Sequence, residues 1–287
     1  FLSVIYLLSS VLKQRNDIIH QYVSDNIKTE THMNQETKNE KISVSETLNT
    51  SFKLWKANFI PIALAITIVF IPVQILIEFA SMALEQLRGP NNLNSAEDLR
   101  RLSNETKIYD FIRQLIGVIA TLGIFNFVYS ILRNDEDERN ASELVKYGLK
   151  KWPENFVQTL IAGFITLLYT LLLIIPGIYK AVQYSFVSNL VSDEESEPLD
   201  KSKLLVKEKW FDVFGMLILI FFIGFIIELL VAVPFILLPE SSILTIILGV
   251  VAAIASSYAI VIKGVYYCAL KELKEGIKEE VTNSKNE

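Results

Sequence analysis

Long charge-free runs alternate with short charged stretches along this chain, and the runs set the architecture. Apolar residues fill 57–77, 114–132, 155–179, 178–192, 213–233 and 241–262, with few or no charged positions inside them. A helix rises 1.5 Å per residue, so about 20 apolar residues cross a bilayer. Every run except the fourth is near that length, and the fourth is also the least apolar. The pattern predicts an all-α fold, a polytopic membrane helix bundle with six transmembrane helices.

Three of the charged stretches carry a helical stripe of their own. Val44, Leu48, Phe52 and Trp55 recur at helical spacing, as do Leu144, Val145, Gly148, Leu149 and Trp152, and then Leu199, Ser202, Val206 and Trp210. Such a helix lies in the headgroup plane with its apolar face down and its tryptophan at the interface. Each tryptophan has a phenylalanine one turn on, so Trp55 with Phe59, Trp152 with Phe156 and Trp210 with Phe214 are expected as interfacial anchors. Pro176 and Pro234 follow their tryptophans at the same offset, and Asp135 and Asp193 precede theirs at the same offset. The coincidences predict three repeats of interfacial amphipathic helix plus hairpin, at about 41–133, 134–192 and 193–270. They build a membrane domain over 41–275 and leave a polar tail at 276–287. The acidic clusters at 135–138 and 193–197 read as solvated linkers that supply negative charge near helix starts.

Composition agrees with this picture. The 287 residues are 51% hydrophobic with a formal charge of −5, and the mean hydropathy is +0.37. A soluble domain is less apolar. The balance excludes a disordered chain and a basic nucleic-acid binder, so no nucleic-acid partner is expected. Cys268 is the single cysteine, which excludes an intrachain disulfide. Residues 1–40 form a polar N-terminal segment; because Phe1 is not an initiator, the natural start is expected at Met33. Lysine and arginine crowd the stretches before the first run, at 133–153, at 193–212 and after the last run. That bias predicts a multi-pass protein of the cell membrane with both termini cytoplasmic. The loop expected at 85–108, with Arg88, Arg100, Arg101 and Lys107, dissents and is outvoted.

Chemistry is sparse. His20 and His32 are the only histidines. No zinc spacing, phosphate loop or nucleophile elbow occurs, so no catalytic, metal or cofactor-binding residue is expected and the chain is read as a non-enzyme. The fourth run is too polar for lipid on all sides. Tyr179, Lys180, Gln183, Tyr184, Ser185, Ser188 and Asn189 should meet other helices, or else line a wet path. Glu78, Lys180, Glu228 and Lys263 fall near span ends and are expected to reach headgroups or water, the alternative being a Lys180–Glu228 pair that ties the fourth helix to the fifth. Ala252 with Ser256, and Ala255 with Ala259, set small residues four apart, which makes the sixth helix central.

The stretch LLLIIPGIYKAVQYSFVSNLVSDEESEPLDKSKLLVKEKWFDVFG, residues 171–215, resembles the signature of a bacterial six-helix membrane group. That group includes the membrane domain fused to glycerophosphoryl diester phosphodiesterases and related stand-alone proteins. The likeness lies in the PGI turn, the polar fourth helix, the acidic exit and the Ser/Lys-rich amphipathic helix. It implies a six-helix membrane fold and transfers no catalytic residue, since the diesterase chemistry belongs to a separate soluble barrel. The expected function is therefore non-catalytic, structural or regulatory, acting through membrane lipids or a membrane or peripheral protein partner. The alternatives are a transporter or export-complex component, favoured by the repeats and the polar fourth run, and a membrane subunit of a lipid-processing system, favoured by the resemblance.

Overall fold

The computed structural model describes residues 42–88, 96–133, 140–237 and 242–283, and every element in them is an α-helix. In chain order these are α1 (Val44–Ala57), α2 (Phe59–Arg88), α3 (Ala96–Leu132), α4 (Ala141–Leu172), α5 (Ile174–Gln183), α6 (Val187–Ser192), α7 (Pro198–Val206), α8 (Trp210–Leu237) and α9 (Ser242–Asn283). Five helices are long and apolar enough to cross a membrane, over Phe59–Leu84, Lys107–Leu132, Ala141–Leu172, Trp210–Val231 and Ile246–Glu275.

Local chemistry starts these helices where the pattern suggests. Ser43 caps α1 by accepting from the backbone N–H of Glu46. Asn140 and Glu143 form a reciprocal capping box at the start of α4. At the end of α1 the Asn58 side chain donates back to the Leu54 carbonyl, and α2 sets off from Phe59.

The fourth run is not one helix. It is divided into α5 and α6, and Tyr184 closes α5 with a non-helical ψ of 6°. The hairpin turn falls at Leu173, in extended backbone (φ −159°, ψ 143°), and not at Pro176-Gly177. Pro176 sits in the first turn of α5, where its missing N–H is not needed. Gly177 is required there for a different reason: a Cβ would lie 2.1 Å from Thr170 Oγ1. From this turn α5 and α6 run back antiparallel along α4. Gly177 lies against Thr170, Tyr184 and Val187 pack with Ala162, and the Ser192 carbonyl meets Tyr147.

Other expectations are corrected at the ends. Much of the loop expected at 85–108 is helix, since α2 runs on to Arg88 and α3 begins at Ala96. The tail is helical to Asn283 as the end of α9. The α7 stripe does not face outward, because Ser202 and Val206 are buried against protein. The α1 stripe does leave Val44 and Phe52 exposed, and α1 buries Thr47, Ser51 and Leu54 instead. Residues 1–41, with both histidines and Met33, and the 135–138 acids lie outside the described residues.

Helix α9 is central, packing on α1, α2, α3, α7 and α8. The core gathers Ile62 and Ile66 of α2, Ile124 to Tyr129 of α3, and Val261 to Leu270 of α9 at the tryptophan-bearing end. Away from that end, the outer parts of α4, α5 and α8 expose large apolar side chains such as Leu171, Ile175 and Leu230.

The helices α3 and α4 cross at two glycines. A Cβ on Gly123 would stand 2.2 Å from the Leu144 carbonyl oxygen, and one on Gly148 would stand 1.9 Å from that of Ile119. Only the hydrogen of glycine lets the two backbones approach so closely.

Candidate functional site: a charged junction of three helices

Where α3, α6 and α9 meet, the chain buries a carboxylate. Asp193 caps the C-terminus of α6, and its side chain is 1% exposed. The Arg133 guanidinium, one residue past α3, reaches both oxygens, at 2.6 Å to Oδ1 and 3.0 Å to Oδ2. On α9, Lys271 Nζ lies 2.6 Å from Oδ2 and the Tyr267 hydroxyl donates to the same oxygen at 2.8 Å. A charge taken out of water is tolerated only when paired and hydrogen-bonded in this way.

One turn earlier on each helix lies a second polar layer. Tyr129, Asn189 and Tyr267 precede Arg133, Asp193 and Lys271 by four residues, so each pair shares a helix face. Asn189 Nδ2 donates to the Tyr129 hydroxyl at 2.8 Å, and the Tyr129 and Tyr267 rings lie 5.2 Å apart. The Ser192 carbonyl at the end of α6 accepts from Asn126 Nδ2 at 3.0 Å and from the Tyr147 hydroxyl at 2.8 Å, adding α4 to the junction.

The acidic segment after Asp193 continues the network. Glu195 bonds Lys271 and Lys201. Burial would raise the Glu195 carboxyl, but its hydrogen bonds to Lys201 and Lys271 hold it below the usual range. Burial alone would lower the Arg133 guanidinium, and the hydrogen bond and charge of Asp193 outweigh it and push it up. Between Asp193 and Glu195, Glu194 adopts left-handed backbone at φ 57°. The Glu194 N–H bonds the Val191 carbonyl and the Glu195 N–H bonds that of Leu190. This is a Schellman turn with glutamate at the position glycine normally takes.

Beside the junction, between α3, α4 and the end of α6, lies a cleft of about 240 Å³ lined by Asn126, Ser130, Arg133, Tyr147, Asp193 and Glu194 among others. Asn126 Oδ1 is buried without a hydrogen-bond partner. Glu194 faces Lys151 at 3.5 Å and the Tyr147 hydroxyl at 3.5 Å. Among the described residues no group of His, Cys, Asp and Glu is placed to hold a metal ion. The arrangement supplies paired charges, hydroxyls and the unpartnered amide oxygens of Asn126 and Asn189, which suits binding of a polar group.

The sequence-predicted residues fall in several places. Asn189 belongs to the junction. Gln183 is buried, and its carbonyl accepts from Ser202 at 2.7 Å. Tyr184 packs with Ala162 and Val187, under the Lys203 ammonium. Lys180 does not meet Glu228. Its Nζ donates to Gln183 Oε1 at 3.0 Å and sits 5.0 Å from the Tyr169 ring centre, while Glu228 is exposed on α8 and pairs with none of the described residues. The physical reason is nearby supply: the Gln183 amide one turn on and the Tyr169 ring of α4 satisfy the ammonium without desolvating a distant carboxylate.

The three tryptophan–phenylalanine pairs are in ring contact. The centroids of Trp55 and Phe59 lie 5.1 Å apart, those of Trp152 and Phe156 5.5 Å, and those of Trp210 and Phe214 5.0 Å. Each indole N–H also reaches another part of the bundle. Trp55 donates to Ser257 Oγ on α9 at 2.8 Å, Trp152 to the Leu115 carbonyl on α3 at 2.8 Å, and Trp210 to the Tyr179 carbonyl on α5 at 3.3 Å. The six side chains expected as interfacial anchors differ in exposure. Phe59 and Phe156 are exposed, at 40% and 38%. Phe214 is half-buried and packs against the main core, as do Trp55 and Trp210. The reason is geometric: Phe214 follows the fully buried Val213 on α8 and stacks on an indole that is itself tied inward to α5. Phe156 stacks on Trp152 but projects from α4 next to the exposed Val157.

In sequence Asp193 reads as part of a solvated linker, and nothing local marks Arg133, Tyr267 and Lys271 as its partners. The signal that could have found them is the shared four-residue offset from Tyr129, Asn189 and Tyr267 at three run ends. No protein-family model, curated protein or solved structure matches this chain.

Proposed function

We propose that this chain is a non-catalytic membrane protein that works through lipid or protein contacts at the end where its tryptophans and charged junction lie. The observation that carries the reading is the buried Asp193, satisfied from three directions by Arg133, Lys271 and Tyr267. A carboxylate held this way ties the end of α6 to the end of α3 and to the flank of α9. Exposed Val44, Phe52, Leu149 and Leu204 on the amphipathic segments supply apolar contact with a membrane surface.

In this reading α5 and α6 together complete a sixth crossing. Both termini then lie on one side, and the lysine and arginine bias makes that side cytoplasmic. The three tryptophan indoles support the threefold repeat. Each ties its unit to the return helix of the preceding one, in a closed cycle: Trp152 to α3, Trp210 to α5, and Trp55 to α9. The likeness of residues 171–215 to the bacterial six-helix group belongs to the same proposal, as does a place beside a lipid-processing enzyme.

The transporter reading loses part of its support, because Tyr184 packs between helices and Asn189 Nδ2 donates to the Tyr129 hydroxyl. Native mass spectrometry of the full chain released from nanodiscs tests the proposal. A lipid or a protein retained at fixed stoichiometry is the expected result. A small water-soluble solute retained instead, together with its counterflow in proteoliposomes, overturns it.

A further inference from the structure

The cleft beside Asp193 presents two kinds of polar group. On one side is the Arg133 guanidinium, whose bidentate pair with Asp193 occupies one edge and whose side chain is still 48% exposed. Guanidinium N–H groups beyond that edge remain as donors, and five donors in a fixed fork match phosphate oxygens. On the other side are acceptors. Asn126 Oδ1 is buried with no partner, and the Glu194 carboxylate opens on the cleft. A buried amide oxygen left unsatisfied costs free energy until a donor reaches it.

Glu194 is held there at a cost. It occupies left-handed backbone, φ 57°, where glycine would be unstrained. Non-glycine residues persist in such conformations where the side chain is needed. Its pair with Lys151 at 3.5 Å is a shared one, since Lys151 also pairs with Glu154 at 3.3 Å.

The location narrows the ligand. Arg133 directly follows the apolar segment Lys107–Leu132, so the cleft opens at the depth of lipid headgroups. Its volume of about 240 Å³ is below that of pockets for drug-sized ligands, about 300–1,000 Å³, and suits a headgroup. A phosphate needs the donors of Arg133, and a primary ammonium, with three donors and no acceptor, needs Glu194 and Asn126 Oδ1.

We propose that this cleft seats the headgroup of an aminophospholipid of the phosphatidylethanolamine type, with its phosphate against Arg133 and its ammonium on Glu194 and Asn126 Oδ1. The assignment rests on the lipid-contact reading above and names the lipid class. The ammonium must keep its hydrogens, so phosphatidylcholine, whose nitrogen has none, is excluded along with phosphatidylglycerol.

The test uses the full chain in nanodiscs of equimolar phosphatidylethanolamine, phosphatidylcholine and phosphatidylglycerol, read by native mass spectrometry. One phosphatidylethanolamine should be retained, about tenfold or more over either competitor, as a charge-assisted hydrogen bond supports. Glu194→Gln and, separately, Asn126→Leu should bring that preference to within about twofold. Glu194 is exposed at the rim, so a thermal melt matching the parent shows that its variant is folded. Equal retention of the three lipids, or a preference untouched by Glu194→Gln, overturns the assignment. Displacement of the lipid by free phosphoethanolamine at equal concentration overturns the lipid as occupant and transfers the cleft to a soluble amine phosphate. In the first two cases another lipid or protein retained at fixed stoichiometry leaves the broader contact reading standing, whereas solute counterflow removes it.

Discussion

Arg133 and Asp193 meet as a two-point ion pair, Nη1 to Oδ1 at 2.6 Å and Nη2 to Oδ2 at 3.0 Å, between residues sixty positions apart. Lys271 reaches the same carboxylate from α9, so one buried anion closes α3, α6 and α9 together. Asp193→Asn keeps the shape and removes the charge. Breaking a buried pair costs about 3–5 kcal/mol, and the low end is expected because Arg133 can turn to water. The melting temperature in detergent should fall clearly. The double variant Asp193→Asn, Lys271→Met should lose less than the sum of the two single variants, although Lys271→Met also removes a partner of Glu195. Additive losses in that cycle would mean the two residues do not act on one another.

The Gly123 and Gly148 crossing predicts a position-specific response to one added methyl group. Gly148→Ala must push α3 and α4 apart, because the Ile119 carbonyl already occupies the methyl's place at 1.9 Å. Overpacking of this kind costs about 1–3 kcal/mol. Gly163→Ala is the control on the same helix, with nothing within 4 Å of its new Cβ. Its melt should match the parent or rise slightly, as alanine favours helix. Equal losses at the two sites would show that glycine matters to α4 for some reason other than this crossing.

These two sites mark what can be read from the chain and what cannot. The long helices follow from uncharged runs, and the ring contacts of Trp55 with Phe59, Trp152 with Phe156 and Trp210 with Phe214 follow from a spacing of one turn. Both are local properties of a helix. Which of those rings turns inward is not local, so the burial of Phe214 and the exposure of Phe156 are invisible in a shared spacing. The glycine crossing is likewise a relation between α3 and α4: the stripe that holds Gly148 does not say which backbone will meet it. Asp193 is misleading for the same reason. In sequence it opens an acidic stretch that resembles any solvated loop, and its burial depends on cations supplied by α3 and α9. The break between α5 and α6 is half legible: polarity marks the run as unusual, but the chain has no proline or glycine at Tyr184–Phe186 to announce the interruption.

Glu194→Gly separates the Schellman turn from the cleft. Relief of left-handed strain is worth about 1–2 kcal/mol, and the lost exposed pair with Lys151 is worth about 0–1 kcal/mol. The variant should melt at or above the parent temperature. A gain in stability together with weaker lipid retention would identify the glutamate as a residue kept for its side chain at the expense of its backbone.

Acid should loosen the junction through Glu195. Its hydrogen bonds with Lys201 and Lys271 hold the carboxyl below the ordinary value of 4.5, against the opposing effect of burial. A depressed folded-state value means the unfolded chain binds the proton more readily. The stabilisation is therefore complete above the ordinary value and is lost as pH falls through the folded one. Melting temperatures should hold from neutrality to about pH 5 and then decline. Glu195→Gln should start lower at neutral pH and decline less steeply. An acid limb of unchanged steepness in that variant would assign the loss to other carboxylates.

The turn between α4 and α5 decides how many times the chain crosses the bilayer. Leu171 to Ile175 are consecutive, apolar and 67–80% exposed. Twenty-one helical steps from Trp152 to Leu173 cover about 31 Å, and a hydrocarbon core is about 30 Å thick. With Trp152 at one interface, the turn just reaches the other. Ile175→Cys should therefore react with a membrane-impermeant maleimide added from outside, while the buried Cys268 stays unlabelled in the parent. Ile175→Lys should also insert normally, since a lysine at the boundary extends its ammonium to the headgroups. If only a lipid-soluble maleimide reaches the introduced thiol and the lysine variant fails to accumulate, the hairpin ends within the hydrocarbon and the six crossings proposed above become four. The side on which α6 ends is the same in both cases. The Tyr147 hydroxyl holds the Ser192 carbonyl at 2.8 Å, so the chain returns to the face from which α4 set out.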